Sequence, residues 1–144
     1  MTPQRYRQAT AALAVLLGLG LVGDLLLEGH TATPLQWLPF VAATAFVLGA
    51  LPRLLASPPS WTRPSGLLAA GLGGLVGVFG IWEHVEHNAL FEAEIRPTAP
   101  ASEVWLEALV GGNPVLAPGA FVLGGALLAV ASLERTVQGR ANPT

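Results

Sequence analysis

The sequence predicts an all-α polytopic membrane protein: four transmembrane helices in an antiparallel bundle, with a short interfacial helix before the last span. Three observations predict it. Apolar residues make up 52% of the chain and charged residues only 11%, against roughly a quarter charged in soluble domains. The mean hydropathy is +0.57, and a soluble fold of this size could not cover its surface with so few charges. Four apolar stretches, at about 8–28, 35–56, 65–87 and 114–133, each supply the roughly 20 residues that cross a hydrocarbon core. The 144 residues suffice for a single domain.

The first span is apolar from Ala11 to Leu27 except for Asp24. Its basic start with Arg5 and Arg7 also suits a signal peptide. It lacks a small-x-small cleavage site and carries acidic groups, so an uncleaved helix is expected. Gly29 reads as the helix stop, and His30 to Pro34 as a tight loop. Pro52 and Arg53 lie near the far end of the second span, where a kink and a snorkelling guanidinium are tolerable. Ser57 to Pro64 is a Pro/Ser-rich loop. The third span carries no charge up to Trp82. Residues 89–112 form the longest connection, broken by Pro97 and Pro100. Within it, Ala101–Val110 reads as an amphipathic helix capped by Ser102. Val104, Trp105, Ala108 and Leu109 form its apolar side, lying flat at the interface. The fourth span follows, then a polar tail from Glu134.

Four spans put both termini on one side. Arg5, Arg7, Arg53, Arg63, Arg135 and Arg140 fall there, and Arg96 alone on the other. This bias predicts that both ends are cytoplasmic. All acidic residues but Glu134, and all histidines, then lie toward the outer face. With no cysteine, disulfides, iron–sulfur clusters and thiolate ligands are excluded. A pI near 5.8 and the lack of a basic cluster argue against nucleic acid. The expected partners are the lipid bilayer and further subunits, as a homo-oligomer or a larger membrane complex. No nucleophile elbow, phosphate loop or dinucleotide fingerprint is present, so no enzyme activity is assigned.

Helical phase sorts the polar groups. Gly66, Gly73, Gly77, Gly80, His84 and His87 fall within roughly an 80° arc of the third span. Gly73-x-x-x-Gly77 is the small-x-x-x-small pattern of close helix contact, so Gly73, Gly77 and Gly80 are read as packing residues. The two histidines are expected to continue that face into the bundle, with Glu83 and Asn88 flanking it and Glu86 turned to solvent. Asp24 and Glu28 are one turn apart on the first span. First and third spans run the same way, so Asp24, Glu28 and His30 are expected to converge with Glu83, His84, His87 and Asn88. Glu92 and Glu94 would fold over the top.

Imidazoles and carboxylates without thiolate suit zinc, iron or copper. The leading expectation is therefore a divalent metal ion at the extracytoplasmic end, held by His30, His84, His87, Glu28 and Glu83. Asp24, Asn88, Glu92 and Glu94 would be supporting or alternate ligands. Three other readings stay open. One is haem b between His30 and His84 or His87. Another is a proton or cation relay with Asp24 as its deep member. The third is a structural or accessory subunit whose polar groups merely cap helix ends.

The segment His84-Val85-Glu86-His87-Asn88, then Glu92-Ala93-Glu94, Gly112-Asn113-Pro114 and Ala117-Pro118-Gly119, resembles a group of small bacterial four-span membrane proteins. Their pattern is His-x-x-x-Asn, then Glu-x-Glu, then Ala-Pro-Gly at the last span. The resemblance covers mainly the second half of the chain and the Asp24–His30 end of the first span. It implies topology and key positions, not an activity. In that group the residue before the asparagine is more often small than histidine, which puts His84 ahead of His87 as a ligand.

Overall fold

The computed structural model describes residues 1–112 and 115–133, and these are helical with no strand among them. Asn113-Pro114 and the tail from Glu134, with Arg135 and Arg140, lie outside the described residues.

Helix α1 runs Pro3–Leu27. Thr2 caps it, its hydroxyl accepting from the Arg5 amide, and Pro3 sits at the first position, where a missing N–H costs nothing. The cap brings the basic arm into the helix, which therefore starts earlier than expected. At the other end Gly29 adopts φ 66°. The His30 amide donates to the Leu25 carbonyl at 2.9 Å and the Gly29 amide to Leu26 at 3.2 Å. This is a Schellman closure, and its left-handed residue favours glycine. It fixes the direction in which His30 leaves the helix.

The second apolar stretch is less regular than its composition implies. A 3-10 turn, Pro34–Trp37, leads into α2, Leu38–Ala50, and a second 3-10 turn, Leu51–Leu54, ends it. Pro52, which lacks an N–H, disrupts the α ladder at the far end. Helix α3 runs Thr62–Ile95, 34 residues, or about 51 Å at 1.5 Å per residue. Its length corrects the expected end near residue 87. No helix breaker occurs between Asn88 and Ile95, and only at Pro97 must the helix have stopped. Helix α4 is Ala101–Ala108, with Pro100 rather than Ser102 as its cap residue, and α5 is Leu116–Leu133.

Among the described residues, four segments are long and apolar enough to cross a membrane: Pro3–Leu27, Pro34–Leu54, Thr62–Ile95 and Leu116–Leu133. The exterior agrees with lipid contact by composition. Leu13, Leu16, Leu48, Leu68, Leu75 and Leu123 are exposed, while the interior is dominated by alanine and glycine around Phe46, Phe121 and Leu128. Small residues let helix backbones approach closely where lipid removes any hydrophobic drive between helices. A Cβ on Gly77 would stand 2.8 Å from the Pro118 carbonyl oxygen, and one on Gly73 would collide with the Phe46 ring.

Helix α1 packs on α2 and α5, α3 packs on the same two, and α4 packs on α3. Helices α1 and α3 are therefore diagonal rather than principal neighbours.

One end is tied by two buried guanidinium groups. Arg7, 2% exposed, donates to the carbonyls of Arg53 (3.2 Å), Leu55 (2.8 Å) and Ala56 (3.2 Å). The Gln8 amide donates to the Leu54 carbonyl at 2.6 Å. Arg53, 3% exposed, donates through Nε to the Ala131 carbonyl at 2.9 Å and through Nη1 to the Thr62 hydroxyl at 3.1 Å. The start of α1, the end of α2, the start of α3 and the end of α5 thus meet. The expectation that Arg53 snorkels outward is corrected. Carbonyls left over at the helix C-termini carry the negative ends of the helix dipoles and accept from the guanidinium groups here.

Candidate functional site

At the opposite end the α1–α2 connection faces the upper part of α3 across a cleft of about 230 Å³. His30 and Gln36 line one wall, and Glu83, His84 and His87 the other, with Val76 and Phe79 below. Each wall has a local cause. His30 is placed by the Gly29 closure. Gln36 is held by its own turn, its Oε1 accepting from the amides of Ala32 (2.8 Å) and Thr33 (3.2 Å). Glu83, His84 and His87 occupy one turn of α3. His84 lies above Gly80, where Pro118 closes against the helix. Helix α5 begins only at Leu116. Above that level the face of α3 borders the cleft, with the turn Pro34–Trp37 and the start of α2 across from it.

The sequence expectations divide here. All three histidines of the chain and Glu83 line the same cleft. His30, Glu83 and His84 are half-buried, while His87 is exposed, so His87 does not continue the packed face inward. Asp24 and Glu28 are exposed and do not line the cleft. Their expected convergence with α3 is not seen: their side of α1 is left exposed, while Leu21 and Leu25 face the interior. Glu92 and Glu94 do not fold over the top either. They rise with α3, which stays helical, and Glu92 pairs with Arg96 at 2.8 Å. Asn88, 4% exposed, turns away from the cleft and donates through Nδ2 to the Ala108 carbonyl at 2.9 Å. It anchors α4 on α3 and fills the space a Cβ at Gly111 would need. Gln36 was missed. The Thr33-x-x-Gln36 spacing, a capping-box signature, was the signal that could have placed it.

Among the described residues, no three His, Asp or Glu side chains form a group arranged to hold a metal ion. What the arrangement offers is two imidazoles and a carboxylate on one turn, facing a third imidazole across a water-accessible gap. The glycine face below it is closely packed at Gly73, Gly77 and Gly80. Phe46 fills the position at Gly73, and Pro118 with Val122 close on Gly77 and Gly80.

The chain thus has the build of a small polytopic membrane protein with a polar cleft at one end. Comparison with family models, with curated proteins and with solved structures gives no match.

Proposed function

We propose that the chain is an antiparallel four-helix protein of the bacterial inner membrane that takes up a divalent metal ion in the His30–His84 cleft. Both termini are cytoplasmic, and the cleft opens on the extracytoplasmic side. The observation that carries this reading is that every histidine of the chain, together with Glu83, lines one cleft. Donors one turn apart on α3 can rotate toward His30, and water would complete the coordination, as zinc, iron or copper with nitrogen and oxygen ligands allows. The meeting of Arg7 and Arg53 with helix ends supports the orientation, since basic residues mark the cytoplasmic side. The resemblance to the small bacterial four-span group fits the same topology. Helix α4 then stands at or above the outer interface.

The test is elemental analysis of detergent-purified protein after exposure to zinc and removal of free ion. About one ion per chain is expected. His84→Ala and His30→Ala should each lower that content, and Asp24→Asn with Glu28→Gln should leave it unchanged. Protein that takes up no ion, and whose unfolding ignores chelators, refutes the reading. A reporter fused after Thr144 that proves extracytoplasmic overturns the orientation.

A further inference from the structure

Helix α3 outruns its neighbours. It meets Pro118 of α5 at Gly80 and continues for 15 residues to Ile95, about 22 Å further. Helix α4 packs against this overhang, anchored by Asn88 on the Ala108 carbonyl, and between the two lies a second groove of about 350 Å³. It is lined by Trp82, Glu86, Ala89 and Ala93 of α3 and by Val104 and Trp105 of α4. Trp82 and Glu86 are one turn apart, and the alanines keep the floor shallow. The two tryptophans are half-exposed. The ring contacts found among the described residues are Trp37–Phe40 and Phe46–Phe121, so the two indoles flank the groove rather than stack on each other.

We infer that this groove is a binding site for an organic ammonium ion, placing its cationic head between the indole of Trp82 or Trp105 and the Glu86 carboxylate. Indole faces are the strongest aromatic partners for a cation, and quaternary ammonium groups are recognised by aromatic walls. Glu86 supplies the counter-charge. The surrounding field has the right sign. Residues 83–108 carry six glutamates and a single basic residue, Arg96, which is paired with Glu92. Such a field attracts cations and repels anionic headgroups. The apolar remainder, Ala89, Ala93 and Val104, suits methyl groups or the start of an alkyl chain. The groove lies roughly 100° around α3 from the histidine cleft, so the site does not depend on metal uptake there. The same ammonium chemistry comes either as a free ion or as the headgroup of a choline lipid.

The experiment uses the full chain in a maltoside detergent. Tryptophan fluorescence and saturation-transfer NMR follow titration with choline, with its uncharged isostere 3,3-dimethylbutan-1-ol, and with dihexanoylphosphatidylcholine. Choline should bind at least about fivefold tighter than the isostere, and Glu86→Gln should reduce that difference, leaving the part due to the indoles. Trp105→Leu and Trp82→Leu should weaken binding, with Trp105→Phe intermediate. A phosphatidylcholine affinity above that of choline identifies the lipid source, and one equal to or below it identifies the free ion. Equal binding of choline and the isostere overturns the inference. So does unchanged choline binding in a folded Trp82→Leu/Trp105→Leu double variant.

Discussion

Phe46 is where the packing logic can be measured. The ring is fully buried, 6.0 Å from that of Phe121, and it occupies the volume that side chains on Gly73 and Gly124 would otherwise take. In a water-soluble core, Phe→Ala costs about 3–5 kcal/mol, part of it the transfer of the ring from water. In lipid that part disappears, because the separated helices keep their side chains in hydrocarbon. What remains is the cavity. A loss of roughly 100 Å³ at about 24 cal/mol per Å³ gives about 2.4 kcal/mol for Phe46→Ala. Gly73→Ala alone forces its new methyl into the ring and should cost about 1–3 kcal/mol. With the ring gone, the same methyl enters the cavity and recovers about 0.6 kcal/mol. The double variant should therefore be more stable than the sum of the single effects by about 1.6–3.6 kcal/mol. Any helix-propensity gain of alanine over glycine cancels in the cycle. Equilibrium unfolding by steric trapping in bicelles reads all four proteins. Effects additive to within about 0.5 kcal/mol would refute the claim that Gly73 exists to admit this ring.

Further outcomes follow from the two ends of the molecule. Arg53→Met should destabilise by about 2–3 kcal/mol, because the Ala131 carbonyl and Thr62 lose a charged donor. Arg53→Lys should recover less than half, since one ammonium lacks the fork that reaches both, and thermal unfolding distinguishes the variants. Asn88→Ala or Asn88→Asp should release α4, seen as faster amide exchange across residues 101–112 at a local cost of about 1–2 kcal/mol, with the α1–α2 pairing unaffected. Zinc uptake in the cleft should fall as pH drops, because protons and the metal compete for the same imidazole nitrogens. Isothermal titration at two pH values, with proton release read from buffers of different ionisation enthalpy, checks this. Uptake independent of pH would exclude imidazole ligation.

Some of the candidate site was legible because its causes are local. The Gly29 stop, the placement of His30 just past it, and the turn shared by Glu83, His84 and His87 follow from helix geometry within a few residues. The partners of that turn were not legible. Asp24 and Glu28 have the same residue types, spacing and expected depth as real cleft residues. They are set apart by which side of α1 the bundle buries, a matter settled by the neighbouring helices and not by α1 alone. Arg53 failed for a related reason. A lone arginine near a span end snorkels if nothing polar is at hand, and the Ala131 carbonyl is 78 residues away in the chain.

The sequence by itself determined an all-helical chain with four segments able to cross a membrane, from hydropathy, length and the placement of glycine and proline. These act over one helix at a time. Tertiary structure alone decided that α1 and α3 are diagonal, that two arginines are buried against helix ends, and that α3 runs on past Gly80 with α4 against it. The reason is that composition fixes how far a segment prefers lipid to water. Which neighbour it meets depends instead on where small residues on two separate helices admit each other's side chains.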